Sequence, residues 1–593
     1  MTAESLAGNR PGGAIFRLAN RVAAHRPHLL VLGGFFAFFL LLLLPIPLSG
    51  SMLGSADSLF IPALSNTYLN QVKAAISGEL LGRSMYPASI ARYGETILGV
   101  AGMFMVFRGV GFSNVYAQYL TQVSQLSLMA FAAFLLAKQY SRSWACAAFA
   151  GFAFSTSNYL WADIDHLPIH FYWLPLLCIV FLKRAAEGGR SRALLAAGVV
   201  GGLQMYFSVQ VYVYQTLMVG VIILFNFREL WRGYSLREKG LFAAGYTLLA
   251  LPLVLFYLNT VLNLGVMDPF PRGTFEGFFA LQLRDFGSAL PGKLIRYWFV
   301  RSTEGGWHRV SHSAFIGFAI PVLAMLGLKP LSKRKLELAA IMAVGLLFAL
   351  GSSIQLGETR VVSPLNVFYQ FFPLAQYLRV GHRSYSLAIL AASLLAGIGL
   401  DRVAKRFGGR KRGAALVLVA FVVVAGENIS WPLNEYETLK YPSIPDGYVE
   451  FFRDKPEAVI LDLPSNSTSW PLYIDDIIYV IWQTEHKRNI VGGVSGYFPP
   501  SRIDAQHYIN GLPSTEAFQY FMDLGVTHFV WHDSPYLVCH APHATYGCDP
   551  LTGTRSATVE RAYPWSDGSL FLKLVFRNDY IFIYELLRDK PFR

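Results

Sequence analysis

Charge is what this sequence has least of. Only 15% of its 593 residues are Asp, Glu, Lys or Arg, against about a quarter in an average soluble domain. With 54% hydrophobic and 15% aromatic residues, the composition excludes an ordinary water-soluble globule and implies a polytopic membrane protein. Cysteine is nearly as scarce, with four in the chain, which excludes a disulfide-dense secreted scaffold. Also missing, in any context where they would carry meaning, are a P-loop, a dinucleotide fingerprint, a zincin helix and a serine-elbow pentapeptide. Internal repeats, low-complexity tracts and heptad arrays are absent too.

The charge that is present has a pattern. The net charge is +13, and its Lys and Arg residues gather in short segments between apolar runs. Arg17, Arg21 and Arg26 precede the first run; 183–192, 228–239, 329–335 and 402–412 follow. Basic loops face the cytoplasm, and without a basic–aromatic reading motif the excess indicates topology, not nucleic acid. The first apolar run, 28–46, exceeds the roughly 7–15-residue core of a signal peptide, and more spans follow, so it reads as an anchor.

Placing every basic segment inside gives eleven crossings near 28–48, 114–137, 143–159, 169–182, 191–208, 211–227, 240–260, 312–328, 336–351, 384–400 and 413–430. The apolar segment 96–110 is left over. A full crossing there would break the alternation, so it reads as a short or re-entrant helix buried against protein at the outer face. A twelfth span is the alternative.

The expected organisation is a cytoplasmic segment 1–27, an all-α membrane domain 28–430 with outer loop 49–95, and an outer, water-soluble α/β domain 431–593. In the last part "EAVILDLP", "VTHFVWH", "LFLKLVFRN" and "YIFIYEL" read as strands, and 445–453 and 515–524 as helices. No acid–base–nucleophile set stands out after Glu427, so the chemistry is expected within 28–430, with the outer domain positioning an acceptor.

Asp57 follows the first span closely, at the outer interface, where it escapes the ~3 kcal/mol cost of a charge at the bilayer centre. After it, Leu59, Ala63, Tyr68, Val72, Ile76 and Leu80 recur at helical spacing, interrupted by Asn66, Asn70, Lys73 and Glu79. One or two interfacial helices are expected. "SADSLF" is also good N-cap chemistry, which gives Asp57 a purely structural alternative.

The early acid beyond a first span, with "GRSMYPASIARYGETILG" (82–99), "FAFSTSNYLWADIDHLPIHFYWLPLLCIVFLKR" (152–184), "NIVGGVSGYFPPSR" (489–502) and "LGVTHFVWH" (524–532), resembles the GT-C class of membrane glycosyltransferases. These segments look like those of a bacterial branch of the class in which an outer α/β domain follows the spans. The resemblance implies an inverting transfer of a hexosyl or pentosyl unit from a polyprenyl-phosphate donor to a periplasmic glycan, lipid or protein, in a bacterial inner membrane with a cytoplasmic N-terminus. It also implies that Asp57 is the general base.

Related enzymes carry a second acid at the position of Asp163, Asp165 and His166. These side chains suit a divalent cation or the acceptor, or are simply solvated. Glu95 enters the leftover apolar segment, where a carboxylate needs a partner or a function. Arg83 and Arg92, then Arg379, His382 and Arg383, stand on the outer side against the charge bias. Their planar forks suit the donor phosphate, with interfacial snorkelling as the structural alternative.

Glu304, His308 and His312 are weaker candidates for acceptor or metal binding. Tyr497 and Phe498 suit a sugar-stacking loop, or packing under the outer domain. Cys539 and Cys548 read as a periplasmic disulfide; free thiols, or a zinc site with His540 and His543, are the alternatives. Cys146 and Cys178 lie in apolar spans and read as packing residues. The rival readings of the whole chain are a transporter or lipid flippase, and a non-catalytic envelope scaffold.

Overall fold

The computed structural model describes residues 12–53, 57–77, 97–162, 164, 171–188, 191–263, 281, 283–289, 293–295, 301–302, 313–351, 353–356, 359–363, 366, 381–407, 409–430, 438–463, 465, 474–493, 500–532, 571–578 and 581–587. Helices occupy every segment expected to span. They are Gly12–Leu43, Asn114–Ala137, Trp144–Ser155, Trp173–Ala186, Ser191–Leu203, Val209–Phe225, the pair Leu236–Leu248 and Leu251–Asn263, Ala319–Leu328, Lys333–Ala349, Tyr385–Arg406 and Arg410–Asn428.

Their lengths are uneven. Among the described residues, four stretches are long and apolar enough to cross a membrane: Arg26–Leu48, Asn114–Ala137, Leu236–Phe256 and Gly381–Arg406. A fifth joins them if Val209–Phe225 and Phe227–Gly233, bent by 80°, form one broken span. Length and composition thus support four or five crossings where the sequence suggests eleven or twelve. The leftover segment forms the helix Leu98–Gly109, 12 residues long. At 1.5 Å per residue that is about 18 Å, too short for a core of about 30 Å.

Small residues bring the helices together, as packing between apolar helices requires. A Cβ added at Gly399 would lie 2.0 Å from the Leu323 carbonyl oxygen, and one at Gly151 would lie 2.3 Å from that of Ala130. Tyr385–Arg406 runs through the middle of this bundle, with Tyr385 through Gly397 buried on every face.

Polar contacts collect at the two ends of the bundle. At one end Glu337 (1% exposed) accepts from Lys183 (2.8 and 3.0 Å), Asn226 (2.8 Å) and Tyr140 (2.5 Å), tying four helix ends together. Arg334–Glu187, Lys333–Glu229 and Lys405–Asp401 pairs surround it. The expected basic segments thus meet at a single end.

The C-terminal part folds around a five-stranded sheet, in the order Leu572–Arg577, Ile581–Leu586, His528–His532, Val459–Leu463, Asn489–Ile490. The first three neighbours pair antiparallel and the last three parallel. All four strands read from the sequence are present, as are the helices Tyr448–Arg453 and Thr515–Leu524. The helices Ile474–His486 and Pro500–Asn510 and the short edge strand were not expected.

This part is not tethered loosely. Strand Ser51–Leu53 pairs antiparallel with Thr438–Lys440. One hydrophobic core joins Leu59, Ile61 and Leu64 to Phe104 and to Ile477, Ile478 and Ile481. In the helix Asp57–Ser77, residues 61–66 are all buried. At about 100° per residue, six consecutive residues go round the whole helix, so this stretch is covered on every side.

Candidate active site at one end of the bundle

Asp57 is the first residue of the Asp57–Ser77 helix. The segment is held on both sides by the C-terminal part, through the Ser51–Leu53 ladder before it and the shared core after it. Asn70 Nδ2 adds a 2.8 Å bond to the Thr484 carbonyl. Asn66 donates to Asn114 Oδ1 (3.3 Å), whose amide in turn donates to Tyr441 (2.7 Å). Leu98–Gly109 closes the other flank, with Gly99 against the Phe207 ring at a distance that leaves no room for a Cβ. Phe207 packs edge-on or tilted against Trp173 and Phe171 and lies three residues before Gln210.

Gln210 reaches the basic motif. Arg383 Nη1 donates to Gln210 Oε1 at 3.0 Å, and Arg383 itself is half-buried. Its backbone is fixed by a relay: Tyr172 donates to Ser386 Oγ (2.5 Å), which donates to the Arg383 carbonyl (2.7 Å). Next to it, Tyr159 gives its single proton to the His382 carbonyl (2.7 Å), so at 2.5 Å His382 Nδ1–H must be the donor to the phenol oxygen. This assignment of donors puts a proton on Nδ1.

The same end holds a second buried set. Asn158 donates to the Ser313 carbonyl (2.8 Å) and its backbone N–H to Asn428 Oδ1 (3.1 Å). Lys293 bridges the Asn428 carbonyl (2.5 Å) and Ser430 Oγ (3.0 Å). Glu427 caps the Ala319–Leu328 helix by accepting from Phe318 N (3.0 Å) and Ala319 N (3.1 Å). Gly317, at φ +82°, has to be glycine, because a Cβ would fall 2.3 Å from Glu427 Oε2. These tyrosines, amides and the lysine form a polar floor that the sequence reading passed over. Its only signal was polar residues recurring at span ends.

Of the expected site residues, Asp57 is described by its backbone and Arg383 by its full side chain. Arg83, Arg92, Glu95, Asp163, Asp165, His166, His308, Arg379, Tyr497, Phe498, Cys539 and Cys548 lie outside the described residues, as do Glu304 and His312. Among the described residues, no group of three or more His, Cys, Asp or Glu side chains could hold a metal ion.

Buried titratable groups also meet in the C-terminal sheet, after Glu427. Asp462 Oδ1 accepts from Tyr448 (2.7 Å) and His532 Nε2 (2.8 Å), all three being buried. Burial and the neighbouring Asp462 hold the Tyr448 phenol well above its usual pKa. Asp476 pairs with Arg502 at 3.3 Å, both side chains being 0% exposed. Burial raises the Asp476 carboxyl, an effect that Arg502 and Ser465 offset in part.

The architecture is a helical bundle with several apolar helices, followed by an α/β part. Two solved structures of the arabinofuranosyltransferase AftD from Mycobacteria share the fold. One (class 2) has a TM-score of 0.56 at 15% identity, and the other (class 1) a TM-score of 0.54 at 14% identity. The matches cover 93% and 91% of this chain but 41% and 40% of AftD, so the chain spans well under half of that enzyme's length. No protein-family model and no curated protein sequence matches the chain.

Proposed function

We propose that the chain is a membrane glycosyltransferase that moves one sugar from a polyprenyl-phosphate donor to a glycan, lipid or protein acceptor on the outer side of a bacterial inner membrane. The observation that carries the reading is the fold shared with AftD over 93% of the chain, with Asp57 starting a helix clamped between Leu98–Gly109 and Ile474–His486. In this reading the Asp57 carboxylate takes the proton of the acceptor hydroxyl. The acceptor oxygen forms its bond to the anomeric carbon while the bond from that carbon to the phosphate oxygen breaks. Polyprenyl phosphate leaves with the bonding electron pair, and attack from the opposite face inverts the anomeric centre.

Arg383 is assigned to the leaving phosphate. Its guanidinium is pre-oriented by Gln210, and charge that builds on the phosphate is stabilised best by donors already in place. Asp163, Asp165 and His166 are assigned to the acceptor side, and Arg83, Arg92 and Arg379 to the donor phosphate.

The test uses purified protein with lipid-linked sugar. General-base catalysis contributes about 10²–10⁴-fold, so Asp57→Asn should lower kcat by that factor while the protein keeps its melting temperature. Full transfer by the folded variant removes Asp57 from the role. Arg383→Gln should raise the donor KM and lower kcat, whereas Arg383→Lys keeps part of the activity because the charge remains but the fork is lost.

A further inference from the structure

The connections of the parallel strands in the C-terminal sheet define the place where an open α/β sheet has its crevice. Val459–Leu463 leads to Ile474–His486, which packs with Ile460 on one face of the sheet. Its neighbour Asn489–Ile490 leads to Pro500–Asn510, which packs with Val459 and Leu461 on the other face. Adjacent parallel strands whose connections leave to opposite faces define a topological switch point. In open α/β sheets, ligands bind outside the carboxyl ends of the strands at that point.

Four chemically apt pieces meet there: Ser465 after the first strand, Asp476 in the first turn of one helix, Gly492 and Gly493 after the second strand, and Arg502 in the first turn of the other helix. Two helices of 13 and 11 residues thus present their N-termini to one place, and such termini favour anions. The backbone comes close as well: a Cβ on Gly492 would sit 2.6 Å from Asp476 Oδ1.

The second, independent observation is Arg502. Its Nη2 is spent on Ser465 Oγ (2.9 Å), Gln506 Oε1 (3.1 Å) and Asp476 Oδ2 (3.3 Å). Nε and Nη1 are buried and have no acceptor among the described residues. A buried guanidinium with two of three nitrogens unserved is costly, and the Asp476 oxygens bond Arg502 Nη2 and Ser465 Oγ (2.8 Å) instead of Nε or Nη1.

We propose that this crevice binds a phosphate-bearing ligand, with Arg502 Nε and Nη1 and the first-turn amides of the two helices as donors. Nε and Nη1 lie on separate edges of the guanidinium and do not form one fork. They call for acceptor oxygens spread in several directions, which a phosphoryl or pyrophosphoryl group offers and a flat carboxylate does not. The proposal does not depend on glycosyl transfer.

The experiment is thermal unfolding of the full-length protein in detergent, with inorganic pyrophosphate, a short-chain prenyl phosphate, or chloride at matched ionic strength. Ligand that binds only the folded state raises Tm by mass action. A saturable rise with either phospho-compound that chloride does not reproduce and that the crevice variants weaken supports the site, whereas a rise with the prenyl phosphate that those variants leave unchanged belongs to the proposed donor site and overturns it. A rise with both indicates a soluble phosphate ligand, and a rise with the prenyl phosphate alone a lipid headgroup.

Arg502→Lys should weaken the response about tenfold. If that variant does not fold, Ser465→Ala, which loosens the guanidinium without removing its charge, decides the matter by the same weakening. No response to either phospho-compound at millimolar concentration, or a response unchanged in both crevice variants, overturns the proposal.

Discussion

His486 and His528 sit in the C-terminal sheet region as buried neutral imidazoles. Burial pulls each from 6.5 to about 4; for His486, Arg488 and His532 add to the effect while Asp462 opposes it. The unfolded chain then binds more protons than the folded one between pH 4 and 6.5, so stability rises with pH across that window and is level above it. At or below pH 4, His486 alone accounts for a loss of up to about 3 kcal/mol. Tm should therefore fall on acidification from pH 7 to 5, and His486→Gln should flatten that fall. A wild-type Tm independent of pH over this range would mean that these imidazoles are not buried.

At this scale the sequence is legible only in part. Asp57 is found from its place beyond an apolar run, because the membrane edge is written in hydropathy. Asp462, His532 and Tyr448 are missed because they meet only through strand pairing, with Asp462 and His532 70 positions apart. The trace left in the sequence is one acid inside the apolar strand "VILDL" and two histidines bounding "HFVWH".

The helices follow from hydropathy, since each expected span coincides with one. Their breaks do not. The span expected at 143–159 divides between Trp144–Ser155 and Asn158–Ala162, because Ser155, Thr156 and Asn158 spend their hydrogen bonds locally or on other helices. Glycine inside a helix pattern signals either tolerance or close approach, and only packing tells which. Gly399→Ala would push a methyl group to 2.0 Å from the Leu323 carbonyl. It should therefore separate Ala319–Leu328 from Tyr385–Arg406 and lower Tm. Gly220→Ala, in a helix with nothing within 4 Å of the new Cβ, should be neutral or slightly stabilising, by up to about 1 kcal/mol. Equal losses from both substitutions would count against this packing.

The buried Lys183–Glu337 pair gives the opposite kind of test. Removing one partner strands a charge and costs about 3–5 kcal/mol, whereas replacing both with apolar residues is often close to neutral. Lys183→Met should therefore unfold at a lower temperature than Lys183→Met combined with Glu337→Leu, measured by thermal melts in detergent.

At the scale of the molecule, the division at residue 430 is a change of composition and not a break in packing. The sequence announces two parts because apolar runs stop after "GENIS" and strand-like runs begin. It does not announce that Ser51–Leu53 completes a ladder with Thr438–Lys440, or that one core holds Leu64 and Phe104 together with Ile478 and Trp482. Those contacts link residues nearly four hundred positions apart, and no local pattern encodes them.

The consequence is a prediction about the chain as a whole. A chain ending at residue 430 loses the partner of the Ser51–Leu53 strand, the acceptor for Asn70 and the far side of the core against Leu59, Ile61 and Leu64. Each exposed apolar side chain forfeits about 1.5–3 kcal/mol of burial. The helix that begins at Asp57 should then become sensitive to limited proteolysis, and under the function proposed above the shortened chain should lose sugar transfer even though its long apolar helices still insert. A milder form keeps the whole protein: Leu64→Ala leaves a cavity worth about 2–5 kcal/mol, two turns along the helix from Asp57. It should lower kcat more than it raises the donor KM, since it disturbs the presentation of the base and not a binding contact. A shortened chain with full activity and a protected Asp57–Ser77 helix would make the C-terminal part an appendage, and the clamp on Asp57 would have no role in the chemistry.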